Sequence, residues 1–211
     1  MTPPEPQRDL VLVVADKDME FALRGILARP EALGTRAVSH DFRRLGDHDA
    51  GVRLEAHDYL RDFSTDWRYA LVLFDHDGCG DTRPVAEVEQ SVQARLDGSG
   101  WTGRSAVMVI EPELEAWVWS ASPRVHEGLG ISADQRRELL AERALTDVGK
   151  PADPKEALHA ALRLSRTRAS ASLFRDLASS VSLRRCQDRS FQRLVSVLRS
   201  WFPPDASSST A

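Results

Sequence analysis

An apolar run that ends in two aspartates is the part of the sequence best suited to chemistry. The run ends at Phe74, and Asp75, His76, Asp77 and Gly78 follow it. Such a run is typical of a strand buried on both faces of a parallel sheet, where ligands bind beyond the carboxyl ends of the strands. Because residues i and i+2 of an extended chain point the same way, both carboxylates are predicted to converge on a hard cation such as Mg²⁺. An ordinary polar turn is the alternative, since Asp and Gly also favour turns.

Acidic residues also follow two other predicted strands. Strands are predicted at residues 10–15, 35–40 and 105–110, besides the run that ends at Phe74. The acids are Asp16, Asp18 and Glu20 after the first strand, and Glu111, Glu113 and Glu115 after the fourth. Parallel strands share a carboxyl edge, so these side chains are predicted to gather there, where their repulsion would be costly without cations. The helix dipole alone also favours acids in a first helical turn, but it does not explain Asp75 and Asp77.

The alternation of strands and helices predicts an α/β fold with a four-stranded parallel sheet flanked by helices. Helices are predicted at residues 19–28, 84–96, 133–145, 154–164, 172–179 and 188–202, and another begins at Pro112. Residues 41–58 give little periodic signal, and strand signals end after Ser122. We therefore predict an α/β core at 9–122, a helical lobe packed on it at 123–202, and disordered ends at 1–8 and 203–211.

Bulk composition excludes several classes of protein. The chain has 211 residues, of which 42% are hydrophobic, enough to fill one sizeable core. It has no apolar run of membrane-spanning length, and its first residues lack the features of a signal peptide, so we predict a cytoplasmic protein without a membrane partner. Its two cysteines, Cys79 and Cys186, are too few for a disulfide framework or a Cys-based zinc site.

Positive charge is concentrated near the C-terminal end. Residues 160–200 contain nine arginines and two aspartates, a local net charge of +7 in a chain whose formal net charge is −4. An acidic body with a basic lobe is the arrangement expected if carboxylates hold a metal while arginines attract phosphate. A GC-rich genome would produce the same preference for arginine without any function.

The chain resembles the TOPRIM-like family of small stand-alone bacterial proteins, often encoded in anti-phage defence loci. These are related to the TOPRIM domain of topoisomerases, bacterial primases and overcoming-lysogenization-defect nucleases. The family carries an acidic motif after the first strand, Asp-x-Asp-Gly after the third, a Glu-Ala-Trp element, a Lys-Pro or Pro-Lys element and a Cys-x-x-Phe segment. The corresponding segments here are, in chain order, Ala15 to Glu20, Asp75-His76-Asp77-Gly78, Glu115-Ala116-Trp117, Pro154-Lys155, and Arg185-Cys186 with Ser190-Phe191.

The resemblance implies a nuclease that uses Mg²⁺ or Mn²⁺ and acts on DNA or RNA, with other subunits of a defence system as further partners. The implied metal ligands are Asp75, Asp77, Glu111 and Glu115; the implied catalytic residues are Asp16, Glu20 and Lys155; and the implied phosphate-binding residues are Lys17, Arg184 and Arg185. The first motif departs from the family, because Asp16 replaces a glutamate and Lys17 replaces a glycine.

Two other functions remain open at this stage. One is a catalytically inactive TOPRIM-like subunit that binds nucleic acid or a protein partner inside a defence complex. The other is a phosphatase similar to the haloacid dehalogenases, in which Asp75 would be the nucleophile and Asp77 the acid and base. That second function also requires a lysine, which only Lys150 or Lys155 could supply.

Overall fold

A sheet of four parallel strands lies at the centre of the computed structural model, which describes residues 8–205. The strands are β1 (Arg8–Val14), β2 (His40–Arg44), β3 (Trp67–Asp75) and β4 (Ser105–Ile110), in the spatial order β2-β1-β3-β4. The longer helices are α1 (Lys17–Leu27), α3 (His48–Arg61), α4 (Val85–Leu96), α7 (Ala133–Ala141), α8 (Pro154–Ser165), α9 (Ala171–Ser180) and α10 (Arg189–Trp201). Three short helices are α2 (Pro30–Leu33), α5 (Glu115–Val118) and α6 (Arg124–Gly128). The predicted α/β fold with a parallel four-stranded sheet is confirmed.

The sheet is covered on both faces, which explains its continuous apolar strands. The chain moves in one direction along the sheet from β1 to β2, and in the other from β2 to β3 and from β3 to β4. Right-handed connections therefore place α1 on one face and both α3 and α4 on the opposite face. Leu10 to Val14 of β1 and Ala70 to Phe74 of β3 are fully buried. On its outer side α1 packs along α9.

The second strand was predicted five residues too early. Residues 35–39 form a connection, because Gly34 follows α2 in a left-handed conformation (φ 76°) and the carbonyl of Pro30 accepts the N–H groups of both Gly34 and Thr35. Arg36 in this connection pairs with Asp9 at 2.6 Å. The strand itself begins at His40.

The helix α3 lies in the stretch that showed little periodicity. Its buried positions are Gly51, Val52, Ala56 and Leu60. Two of these four residues are glycine and alanine, whose small side chains add little to a hydrophobic pattern. The helix is stabilised by packing against β3 and α4 rather than by a strong apolar stripe.

Three other predicted bounds were wrong. The helix expected from Pro112 is only the single turn α5, and α7 ends at Ala141 because residues 144–152 form a tight turn with a bridge between Leu145 and Pro151. Arg8, assigned to a disordered end, belongs to β1. The other residues of the predicted disordered ends, apart from 203–205, lie outside the described range. Within residues 8–205, no helix is long and apolar enough to cross a bilayer.

Candidate carboxylate site at the strand ends

The strand order reverses between the carboxyl ends of β1 and β3. The connections that leave these neighbouring strands run in opposite directions and on opposite faces, and open α/β sheets bind ligands at such a reversal point. Val14 pairs with Leu73 in the sheet register. Asp16 and Asp75 each follow that pair by two residues, so both stand at the same level of the sheet edge, beside the reversal point.

Asp75 carries a buried carboxylate oxygen without a hydrogen-bond partner. Its Oδ1 atom is hidden from solvent and unpaired among the described residues. Burial raises the pKa of the Asp75 carboxyl well above its usual range. The charges of Asp49, Glu115 and Asp16 raise the same pKa further, while the backbone N–H of Leu114 lowers it. Leaving a buried polar atom unpaired costs about 1–3 kcal/mol, and more for a charged group, so a proton or a cation at this oxygen would stabilise the fold.

Asp49 is a site residue that the sequence analysis missed. It lies in the first turn of α3, and its Oδ1 accepts the backbone N–H of Asp75 at 2.7 Å. Burial raises the pKa of the Asp49 carboxyl, and the charge of Asp16 adds to this effect. The two preceding residues, Asp47 and His48, have positive φ angles of 58° and 48°, which few residues other than glycine adopt.

The sequence does contain a signal for Asp49. The triplet Asp47-His48-Asp49 repeats the triplet Asp75-His76-Asp77. Once β2 is placed at His40–Arg44, the first triplet follows the carboxyl end of a strand as the second does. All four strands of the sheet are then followed by acidic residues.

Glu115 and Asp16 complete the group of acids around Asp75. Glu115 begins α5 and is only 9% exposed. Burial, with the charge of Glu113 as the next cause, raises the pKa of Glu115 to about 7. Asp16 caps α1, where its Oδ1 accepts the N–H of Met19 at 2.8 Å. We use the name carboxylate cluster for Asp16, Asp49, Asp75 and Glu115.

Lys155 brings a positive charge to the carboxylate cluster. Its Nζ donates to Oε2 of Glu113 at 2.9 Å, and 53% of its side chain remains exposed. The hydrogen bond to Glu113 raises the pKa of Lys155, and the charges of Glu115 and Asp75 contribute in the same direction. The ammonium group is therefore held beside the acids and still open to a ligand.

Two residues of the first motif, Lys17 and Glu20, interact with side chains of α1 and β2. Glu20 pairs with Arg24 at 2.8 Å and with Arg44 at 3.2 Å, toward the β2 side of the sheet. Lys17 places its Nζ 5.5 Å from the centre of the Phe21 ring. Its charge also lowers the pKa of Asp18, although burial raises that pKa overall.

Asp77 and Glu111 are both exposed, whereas the acids of the carboxylate cluster are buried or half-buried. The alternation of side chains that predicted convergence of Asp75 with Asp77 holds only inside a strand, but β3 ends at Asp75 and the exposed Asp77 lies in the next turn. Glu111 is exposed and lines a cavity of about 500 Å³ together with Glu89 and Arg193.

The predicted arginines lie in the short helical turn Leu183–Arg185. Arg184 and Arg185 are both exposed, and Arg184 lines a groove with Val195 and Arg199 of α10. The residues that line this groove include none of the four acids of the carboxylate cluster.

A buried polar network fixes the segment that carries Glu115. Lys150 is 6% exposed, and its Nζ donates to the carbonyl of Ala116 at 2.8 Å and to Oδ2 of Asp188 at 3.0 Å. Asp188 accepts the hydroxyl of Ser190, whose oxygen in turn accepts the indole N–H of Trp117 at 2.8 Å. The network thus closes between α5, the 144–152 turn and the start of α10.

The donor atoms of the carboxylate cluster suit a hard cation, although they do not form a complete cage. Among residues 8–205 no group of three or more His, Cys, Asp or Glu side chains is arranged to hold a metal ion. Mg²⁺, however, is usually bound through one or two carboxylates, with waters and substrate phosphates completing its shell. The unpaired Oδ1 of Asp75 and the oxygen-only chemistry of its neighbours fit that mode of binding.

Comparisons with known proteins add no family assignment. No family model, no curated protein and no solved structure matches the chain.

Proposed function

We propose that the protein is a divalent-cation-dependent phosphoesterase that cleaves DNA or RNA in the cytoplasm. The observation that carries this proposal is the buried, unpaired oxygen of Asp75 among three other carboxylates at the reversal point of the sheet. The resemblance to TOPRIM-like proteins suggests that the nuclease is a component of a bacterial anti-phage defence system.

The residues of the carboxylate cluster take different parts in this scheme. Asp75 and Glu115 would hold the cation, and a bound Mg²⁺ or Mn²⁺ would act as a Lewis acid toward a phosphoryl oxygen. Lys155 offers a half-exposed ammonium group beside the same acids, where it can bind a phosphate of the substrate. Asp16 uses one oxygen to cap α1, and its second oxygen can orient or deprotonate a water.

Cleavage of labelled nucleic acids tests this function. The full chain is incubated with single-stranded DNA, double-stranded DNA and RNA in Mn²⁺, Mg²⁺ or EDTA. We expect cleavage that requires the cation, is lost in Asp75→Ala and persists in Asp66→Asn. Asp66 is a suitable control because it is an exposed acid just before the amino end of the same strand. Cleavage in EDTA, or full activity of Asp75→Ala, would contradict the proposal.

A second function is favoured because several acids already form ion pairs or hydrogen bonds with other groups of the protein. Glu20 and Glu113 form ion pairs, Asp16 caps a helix, and no three acids of residues 8–205 form a metal cage. These observations fit a catalytically inactive subunit that binds nucleic acid or a protein partner. Retention of nucleic acid in a gel-shift assay, with no cleavage in any cation, would support this second function over the first.

A dehalogenase-type phosphatase has less support. Lys150 is buried in an ion pair with Asp188, so only Lys155 could supply the required lysine. The acid and base that this function requires, Asp77, is exposed in the turn after β3.

A further inference from the structure

Asp49 carries a negative charge at a position where a neutral acceptor would make the same hydrogen bond. Its Oδ1 accepts the backbone N–H of Asp75 at 2.7 Å, and the side-chain oxygen of an asparagine could accept that N–H equally well. The carboxylate instead adds repulsion. Of all surrounding charges, that of Asp49 raises the pKa of Asp75 the most. The hydrogen bond therefore does not explain why this residue is an acid.

The backbone around Asp49 forms a close turn at the start of α3. An added Cβ at Gly51 would stand 1.8 Å from the carbonyl oxygen of Gly46, so only glycine fits at this position. The left-handed Asp47 and His48 are part of the same turn. Strained backbone of this kind persists only where the rest of the structure holds it.

The other oxygen of Asp49 faces the turn that follows Asp75. A Cβ added at Gly78 would stand 3.5 Å from Asp49 Oδ2, an ordinary van der Waals distance. Gly78 belongs to the turn that directly follows Asp75 and has a positive φ of 92°. Oδ2 of Asp49 thus lies beside the end of β3, next to the residue that carries the unpaired buried oxygen.

We propose that Asp49 is a ligand of the divalent cation, binding through Oδ2 while Oδ1 holds the backbone of Asp75. Two carboxylates from α3 and β3 then share one cation, and the buried, unpaired Oδ1 of Asp75 points independently to a ligand at this position. Binding by two carboxylates with waters is a usual mode for Mg²⁺, so no three-residue cage is needed. The inference rests on the proposed function, because it names a further ligand of the same cation.

Direct measurement of Mn²⁺ binding to the full chain, without nucleic acid, tests this inference. Isothermal titration calorimetry compares the wild type with Asp49→Asn, Asp75→Asn and Asp47→Asn. Asp47→Asn is a matched control, since Asp47 is an exposed acid in the same turn and asparagine tolerates a left-handed backbone. We expect Asp49→Asn and Asp75→Asn to weaken Mn²⁺ binding about tenfold or more, and Asp47→Asn to bind as the wild type does.

The outcomes separate this inference from the proposed function. Wild-type affinity in Asp49→Asn, together with loss of binding in Asp75→Asn, would overturn the role of Asp49 and leave the metal site standing. Absence of Mn²⁺ binding by the wild type would overturn both. Thermal unfolding in EDTA supplies a second measurement: Asp49→Asn should unfold at or above the wild-type temperature, because repulsion is removed. A lower unfolding temperature would contradict this repulsion and would count against the proposed role of Asp49.

Discussion

Replacing Glu115 by glutamine should stabilise the metal-free protein at high pH and have little effect at low pH. The pKa of Glu115 is raised from 4.5 to about 7, chiefly by burial. The folded chain therefore keeps this proton up to about pH 7, whereas the unfolded chain releases it above about pH 4.5. It follows that the free energy of unfolding of the wild type falls as the pH rises through this window and then stays level. Glutamine cannot ionise and so removes this dependence.

The size of the effect follows from the two pKa values. They differ by about 2.5, and each unit is worth about 1.4 kcal/mol, so the charged Glu115 destabilises the fold by about 3 kcal/mol at pH 8. At pH 5 the same linkage gives a destabilisation of less than about 1 kcal/mol. About 2.5 kcal/mol should thus develop between these pH values, which corresponds to roughly 5–10 °C in the unfolding temperature of a protein of this size.

Thermal unfolding followed by circular dichroism in EDTA measures this difference. Glu115→Gln and the wild type are compared at pH 5 and pH 8, beside Glu138→Gln as a control. Glu138 is an exposed acid on α7, and its replacement should change stability by less than about 0.5 kcal/mol at either pH. If Glu115→Gln shifted the unfolding temperature equally at pH 5 and pH 8, burial of an ionised Glu115 would be refuted.

Two further substitutions test the packing that supports the site. Lys150→Met leaves the buried carboxylate of Asp188 without its cation and should cost about 3–5 kcal/mol in urea unfolding. Arg137→Met, which breaks an exposed ion pair, should cost less than about 1 kcal/mol, and equal losses would contradict the role of the network. Gly25→Ala should destabilise the protein by about 1–3 kcal/mol in thermal unfolding, because the new Cβ would stand 2.6 Å from a backbone oxygen of α9. Gly98→Ala, with no atom within 4 Å of the new Cβ, should change stability by at most about 0.5 kcal/mol, and a neutral Gly25→Ala would show that α1 and α9 do not pack as described.

The central strands were predictable because burial on both faces leaves a direct mark on the sequence. The run from Leu71 to Phe74 and the strand Ser105–Ile110 have apolar side chains at nearly every position, and the structure buries them. The edge strand β2 has no such mark, since its five residues include only one buried side chain, that of Phe42. A strand at the edge of a sheet, with few buried side chains and polar ends, has much the same composition as a loop.

The carboxylate cluster was predictable only in part, for the same reason. Because β1, β3 and β4 were recognised, the acids that follow them could be expected at one edge, and Asp16, Asp75 and Glu115 interact there. The misplaced β2 hid the fourth acid, Asp49. The predicted convergence of Asp77 with Asp75 assumed an extended segment, whereas β3 ends at Asp75 and Asp77 lies in the following turn.

α1 packs against α9, a helix that the ribosome makes much later during synthesis of the chain. Ala22, Gly25 and Ile26 of α1 face the residues of α9, a helix that follows more than one hundred positions later in the chain. During synthesis on the ribosome, the apolar side of α1 therefore stays uncovered until α9 has been made. We expect nascent chains arrested before Ala171 to expose this surface and to be retained by chaperones, whereas release of Ala171–Ser180 lets the first and last thirds of the protein close on each other.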